Sequence, residues 1–272
     1  MPELPEVETI VRELAARLPG RRVTKVQVFR RDALGKATPR AFRAGLMGRT
    51  FAAVRRRGKF LLFDLIPAGH LVAHLRMTGK FTLSPPLAAP DPHHRVWLHL
   101  DDGGILVFQD LRCFGTLELV ERLEECRGLA RLGTEPLSPA FSVAWLGERL
   151  SRSRAPLKHW LMDQTRIAGL GNIYACEILF GAGLSPRRRA DRVTGAQTGL
   201  LWKVVRKVLG QAIRKNGTTI SDFRRVDEKR GEFQRFLKVY GREGEPCPAC
   251  GTAVRRIRQQ QRSTFYCPAC QA

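Results

Sequence analysis

Acid is what this sequence has least of for its size. Asp and Glu total 25 against 47 Lys and Arg in 272 residues, a formal net charge of +22, with a pI near 10.9. A surface so basic attracts polyanions, above all nucleic acid, and the plain alternative is a ribosomal or nonspecific basic protein. Long apolar runs are also missing: none approaches the roughly 18–20 residues that cross a bilayer, so no membrane partner is expected. The first residues are acidic and carry no basic stretch of the kind that opens a signal peptide, which predicts residence in the cytosol. Cysteine is thin until the end of the chain, where four of the seven lie between 247 and 272. In a reducing compartment that clustering speaks against a disulfide framework and for a metal. Internal repeats and low-complexity tracts are absent. Apolar residues at 43% and charged residues at 26% are ordinary for a globular chain long enough for two or three domains.

The pattern of elements comes next. After Pro5, the positions Val7, Ile10, Val11, Leu14 and Leu18 have helical spacing, with Pro19-Gly20 as the stop. The period then shortens, and Val23–Phe29, Phe60–Ile66, Leu71–Leu75, Val96–Leu100 and Ile105–Phe108 read as strands, the last two joined by a turn at Asp101-Asp102-Gly103-Gly104. A helix followed by many strands predicts an α+β chain with a sandwich or barrel-like N-terminal domain ending near 120–135. Pro156 opens a helical segment, Ala168-Gly169-Leu170-Gly171 breaks it, and Asn172 is expected to cap the next helix. Thr194–Lys215 reads as a long amphipathic helix. The charged stretch 222–236 reads as a mobile loop.

Cys247, Cys250, Cys267 and Cys270 form C-x2-C-x16-C-x2-C. Each C-x2-C turn presents two sulfurs on one side, the donor set of one structural zinc; redox dithiols or an iron centre are the alternatives. The residues between read as two strands joined by a basic turn. So short a piece cannot hold a hairpin by core burial alone, so the metal supplies the folding energy. Arg258 and Arg262 would project from it toward phosphate, or form a solvated basic face. Cys113, Cys126 and Cys176 lack metal spacing and read as packing residues.

The chain begins MPELPEVETI. Proline is a small second residue, so removal of Met1 is expected and would leave Pro2 with a free secondary amine. Such an amine attacking a sugar anomeric carbon gives an iminium with no N–H to lose, an electron sink that favours elimination. Glu3 could protonate the opening sugar ring, and Glu6 could orient it or shuttle protons. The bland reading is a helix lead-in whose acids complement the helix dipole.

PELPEVET, GLGNIYA at Gly169–Ala175 and the C-terminal cysteine pairs together resemble the bacterial formamidopyrimidine-DNA glycosylases, over essentially the whole chain. The resemblance implies three parts. They are an N-terminal helix with a two-sheet β-sandwich (1–130), a helix-two-turn-helix domain carrying a lesion loop (131–236) and a zinc-finger hairpin (237–272). It implies a glycosylase and abasic-site lyase acting as a monomer on double-stranded DNA with oxidised purines or abasic sites, in the bacterial cytoplasm at the nucleoid. Pro2 matches the nucleophile, Glu3 the acid that assists ring opening, Glu6 a second active-site carboxylate and Lys59, in RRRGKF, a lysine on a hairpin. His74 and Met77, in HLRMTG, match a phosphate contact and a wedge filling the place of an extruded base. Arg112 and Phe114, in DLRCFG, match the arginine facing the orphaned cytosine and a second wedge. Lys158 and Asn172 match phosphate and backbone contacts; Tyr240 and Arg262 match further phosphate contacts. Glu232 is a candidate for base contact. Without the resemblance, Met77 and Phe114 read as core, His74 as a satisfied strand histidine, Lys59 and Lys158 as solvated cations and Asn172 as a cap.

The resemblance breaks at Leu111 and Cys113, where many members carry proline and a second basic residue. The stiffness of that loop and one cationic contact are left unsupported. Endonuclease VIII, the sister group for oxidised pyrimidines, lacks the Arg-x-Phe loop and the PELPEVET wording, which favours oxidised purines. A pyrimidine enzyme and a non-catalytic damage-binding protein of the same fold are the rivals.

Overall fold

A computed structural model describes residues 1–86, 89–220 and 223–272. The chain forms two compact units: residues 1–131 with 215–232, and residues 132–214 with 233–272. No helix among the described residues is long and apolar enough to cross a membrane.

The first unit opens with helix α1 (Leu4–Ala15), followed by β1 (Val23–Val28) and α2 (Pro39–Leu46). Seven strands complete it: β2 (Thr50–Arg57), β3 (Phe60–Ile66), β4 (His70–His74), β5 (Gly79–Ser84), β6 (His94–Leu100), β7 (Ile105–Asp110) and β8 (Thr116–Val120), before the short helix α3 (Arg127–Ala130). They make two antiparallel sheets in the orders β1-β6-β7-β5 and β2-β3-β4-β8. The expected sandwich is therefore present. Its interior follows from the two-residue period of a strand. Leu61, Phe63 and Leu65 of β3 point inward to one core with Val96 and Leu98 of β6, Phe81 of β5, and Val7, Ile10 and Leu14 of α1. Phe63 links the layers, its ring 5.8 Å from Phe51 and 5.4 Å from Phe81. The opposite face of β3 is also covered: a Cβ on Gly128 would lie 2.7 Å from the Phe60 ring. Cover on both faces is why β3 reads as an unbroken apolar run.

β2, β5 and β8 are strands that the apolar pattern does not announce. TFAAVRRR carries two buried apolar residues, Phe51 and Val54, and a register irregularity between Phe51 and Ala53 spoils its alternation. α1 stops at Ala15, before Pro19-Gly20.

The second unit holds α4 (Val143–Ser151), α5 (Leu157–Met162), α6 (Asn172–Gly181), α7 (Gly195–Arg214) and the hairpin β9 (Arg255–Gln259)–β10 (Arg262–Tyr266). Gln260 and Gln261 both take positive φ, 45° and 61°, the backbone of a tight two-residue hairpin turn.

Two findings add to the expectations. The stretch 215–232 groups with residues 1–131 in the first compact unit. Its polar backbone is anchored there: Glu6 Oε1 accepts the Thr218 N–H at 2.7 Å, Glu13 Oε2 accepts the Val226 N–H at 2.9 Å, and Phe223 and Val226 join the core. The loop expected over 222–236 thus packs down over part of its length, and Phe233–Phe236 form a 3-10 turn; residue 222 lies outside the described residues. Second, Gly171, not Asn172, occupies the N-cap of α6. The Asn172 side chain is engaged elsewhere.

Phe63 bridges both sheets, so Phe63→Ala is expected to cost about 3–5 kcal/mol, as for other large-to-small changes in a packed core. Urea unfolding followed by circular dichroism measures it.

Candidate functional site

In the first unit the candidate residues gather around the start of α1. Pro5 sits in its first turn, where a missing N–H costs nothing. Glu6 is 1% exposed. Its Oε2 accepts the Glu3 N–H at 2.8 Å and its Oε1 the Thr218 N–H. One buried carboxylate therefore fixes both the entry to the helix and the neighbouring loop. Gly217 makes this approach possible: it has φ +76°, and a Cβ there would fall 2.8 Å from Glu6 Oε1. Pro2 and Glu3 are buried, while Met1, which precedes the Pro2 nitrogen, is 41% exposed.

Lys59 lies in the two-residue turn Gly58-Lys59 between β2 and β3 and is buried. Arg56 ties that turn to α1: its Nε donates to Glu8 Oε2 at 2.9 Å and its Nη1 to the Gly58 carbonyl at 3.1 Å.

His74 is buried too, its ring edge-on to Phe60 at 4.6 Å. Its Nδ1 accepts the Arg76 N–H at 3.0 Å. That acceptor role puts the ring proton on Nε2. Burial, with Arg76 and Lys59 nearby, lowers its pKa from the ordinary 6.5 to about 3. His74 is thus a neutral donor at any physiological pH, able to donate one hydrogen bond to an anion.

Met77, Arg112 and Phe114 stand on two adjoining loops. Met77 is 41% and Phe114 51% exposed, so neither is core; the Arg112 guanidinium lies over the Phe114 ring at 4.9 Å. Beneath them Asp110 is 1% exposed. Its Oδ1 accepts from Thr78 Oγ1 at 2.5 Å and from the Arg112 N–H at 3.2 Å; its Oδ2 accepts from the Gly115 N–H at 2.6 Å. The loop without its proline is thus closed at both ends by one carboxylate. Cys113 occupies the turn with φ 56°; it is part-exposed and is not a packing residue.

In the second unit the four sulfurs lie within 4.8 Å of one another. Tetrahedral Zn–S bonds of about 2.3 Å space sulfurs by about 3.8 Å, and the Cys247–Cys270 and Cys250–Cys267 separations are 3.9 and 3.5 Å. Without a cation these thiols cannot ionise together. Hydrogen bonds from Thr252 and from the neighbouring thiols draw Cys250 down to about 6, and Cys250 and Cys267 push Cys270 up to about 12. The cluster fits one structural zinc, and four protein thiolates leave it no open position for chemistry.

α5 and α6 hold this hairpin. Lys158 is 1% exposed; its ammonium donates to the Ser263 carbonyl at 3.2 Å and to Thr264 Oγ1 at 2.5 Å. Asn172 Nδ2 donates to the same carbonyl at 2.9 Å. Both residues therefore bind β10 directly. Tyr240 packs edge-on against Phe265 at 5.1 Å, whereas Arg258, Arg262 and Glu232 are exposed.

Sequence reasoning overlooked Asp110, Glu13 and Glu177. Glu177 accepts the N–H groups of Lys238, Val239 and Tyr240 at 2.8–3.0 Å, and burial pushes its carboxyl up despite those bonds. A lone carboxylate in the apolar stretch NIYACEILFG was the available signal. Asp110 offered none, because its partners are two backbone N–H groups and a threonine hydroxyl more than thirty residues away.

Two outcomes follow from this geometry. Between pH 6.5 and 3 the unfolded chain binds a proton at residue 74 that the folded chain refuses, so this part of the stability is full above 6.5 and is lost as pH falls. From pH 7 to 5, wild type should lose about 2 kcal/mol more than His74→Asn in urea unfolding. Cys267→Ser should lose bound zinc by metal analysis and render the hairpin segment protease-sensitive, since metal binding and folding are linked there.

Comparison with known proteins agrees along the whole chain. Residues 1–117 match the Formamidopyrimidine-DNA glycosylase N-terminal domain, 132–224 the Formamidopyrimidine-DNA glycosylase H2TH domain, and 244–272 the zinc finger found in FPG and IleRS. The formamidopyrimidine-DNA glycosylase of Desulfitobacterium hafniense is 44% identical over 274 residues, covering 100% of both chains. That of Symbiobacterium thermophilum is 44% identical over 273 residues, covering 100% of this chain and 89% of its own. The crystal structure of Thermus thermophilus MutM (FPG) superposes with a TM-score of 0.89 at 43% identity, over 99% of this chain and 98% of its own. The wild-type Lactococcus lactis Fpg (MutM), solved with DNA containing N7-benzyl-Fapy-dG, gives 0.93 at 32% identity over 99% of each chain. With its sandwich, helical region and cysteine-held hairpin all accounted for, this chain belongs to the formamidopyrimidine-DNA glycosylase family.

Proposed function

We propose that the chain is a bifunctional DNA glycosylase and abasic-site lyase that removes oxidised purines, 8-oxoguanine and formamidopyrimidines, from double-stranded DNA in base excision repair. The observation that carries this reading is the start of α1, where the doubly anchored Glu6 carboxylate holds the Glu3 N–H next to buried Pro2 in sequence, in a chain matching the family from end to end. The chain acts as a monomer, and its site of action is the nucleoid of the bacterial cytoplasm.

Removal of Met1 frees the Pro2 secondary amine. The nitrogen attacks C1′ of an extruded nucleotide, the C1′–base bond breaks, and the damaged base departs with the proton released from the Pro2 nitrogen. Glu3 protonates the ring oxygen as the sugar opens, leaving an iminium between Pro2 and C1′. Having no N–H to lose, this iminium keeps its charge and acidifies the proton on C2′. Elimination of the 3′-phosphate follows, then of the 5′-phosphate, which cuts the strand on both sides of the lesion. Glu6 keeps Glu3 and the lesion loop in place. Lys59 supplies a cation beside the reacting sugar.

Extrusion costs a few kcal/mol. Exposed Met77 and Phe114 fill the vacated space, and Arg112 donates to the exposed acceptors of the orphaned cytosine. His74, as the Nε2–H tautomer, donates to a phosphate without bringing charge. Arg258, Arg262 and Tyr240 add phosphate contacts from the zinc-held hairpin and its approach. Lys158 and Asn172 serve this set by holding the Ser263 carbonyl and so the strand that carries Arg262. The base-contact role of Glu232 stands as part of this proposal. Zinc supports the hairpin and takes no part in the reaction.

Sodium borohydride should trap wild-type protein covalently on a duplex containing 8-oxoguanine opposite cytosine, and Pro2→Gly should give no adduct. A wild-type protein without adduct overturns the mechanism; faster excision from thymine glycol duplexes than from 8-oxoguanine duplexes would move the chain to the pyrimidine enzymes.

A further inference from the structure

The loop bearing Arg112 and Phe114 is exposed at its tip and anchored at its base by Asp110, whose two oxygens take up three donors. Thr78 Oγ1 and the Arg112 N–H bind Oδ1; the Gly115 N–H binds Oδ2. The Arg112 N–H is shared, since it also donates to Thr78 Oγ1 at 3.0 Å. Thr78 therefore joins the Met77 loop to the Arg112 loop. Asp110 itself is held on either side: its N–H donates to the His93 carbonyl at 3.0 Å, and its carbonyl accepts from buried Arg95. Gly115 must be glycine for this clamp, because a Cβ there would meet the Phe108 ring at 2.7 Å and Asp110 Oδ2 at 3.1 Å.

We infer that Asp110, with Thr78 as its bridge, is a positioning residue for reading the base opposite the lesion. It touches no nucleotide. It fixes where the backbone of residue 112 starts, and so where the guanidinium can reach. An arginine side chain on a free loop would still meet a partner base, but would settle equally well against different acceptor patterns. Leu111 leaves its own backbone unrestricted in φ, so the stiffness of the loop rests on the carboxylate. The chemistry at Pro2 needs none of this when no partner base is present. The inference rests on Arg112 facing the partner base, as proposed above.

The test is Asp110→Asn, which keeps the size but faces a donor to one of the three donors. The first readout is kcat/KM for excision of 8-oxoguanine opposite cytosine and opposite adenine. The second is borohydride trapping on a single-stranded abasic oligonucleotide, which has no partner base. The variant should lose about tenfold or more of the cytosine-over-adenine preference, the usual scale for a hydrogen bond to a charged group. Its single-strand trapping should stay at the wild-type level. Thr78→Val, which removes only the bridge, should move the ratio in the same direction by less. An unchanged ratio in Asp110→Asn, with Arg112→Ala lowering it, overturns the positioning role and leaves the assignment of Arg112 standing. A ratio unmoved by Arg112→Ala overturns that assignment and the inference with it. A parallel fall in single-strand trapping, with a lowered melting temperature, makes Asp110 a residue of the fold alone and also overturns the inference.

Discussion

The carboxylate of Glu6 is the constraint on which the rest of the first unit depends. A helix that begins at the fourth residue of a chain has backbone N–H groups to satisfy and almost no preceding chain to satisfy them. Glu6 takes one of them, at Glu3, and gives its second oxygen to Thr218. The end of a chain is ordinarily the part most prone to fray. Here Pro2 and Glu3 are buried, and Glu6 is tied to a loop more than two hundred residues away in sequence. The nucleophile proposed for this terminus depends on its having been given a fixed place.

The same device recurs at three further segments. Glu13 takes the Val226 N–H and the Arg225 guanidinium, Asp110 closes the Arg112 loop, and Glu177 collects three successive N–H groups ahead of the zinc-held hairpin. In a chain with 25 acids and 47 Lys and Arg, carboxylates drawn inward serve the backbone instead of neutralising the surface. A carboxylate suits this purpose better than an amide, since both oxygens only accept and each can hold more than one donor. Most cations remain outside, where they can meet phosphate, while Lys59, Arg95 and Lys158 are buried. The basic surface and the anchored loops are two results of one distribution of charge.

How much of this was legible in the sequence depended on whether the signal was local. Zinc was legible because four identical ligands at fixed spacing leave few other uses. β3 and β6 were legible because burial on both faces makes them plainly apolar. β2, β5 and β8 were not, because they bury few side chains and their polar residues break the alternation. The start of α1 could be read from Pro5 and Glu6, but its tie to Thr218 could not, since it joins distant segments through a backbone N–H. That tie also draws residues 215–232 into the first compact unit. Pro2 and Glu3 could be read as an amine and an acid from the residues alone, yet prolines and acids at a helix start have an adequate structural explanation by themselves; Lys59 was singled out only through resemblance to a family.

Charge alone is a poor guide to which residues would meet a polyanion. Lys158 is one of the basic residues that the resemblance links to phosphate, yet its ammonium is buried against Ser263 and Thr264. A buried ammonium must be bonded to be tolerated, and carbonyl and hydroxyl oxygens of β10 meet that need. Arg262, on the strand that Lys158 holds, is exposed and carries its charge outward. His74 shows the reverse case: it faces the cations Lys59 and Arg76 and bears no charge. A third cation there would add repulsion within the site, whereas a neutral N–H can still bind an anionic oxygen. For this fold, then, what a residue offers a phosphate follows from the bonds it already makes inside the protein, and only afterwards from its formal charge.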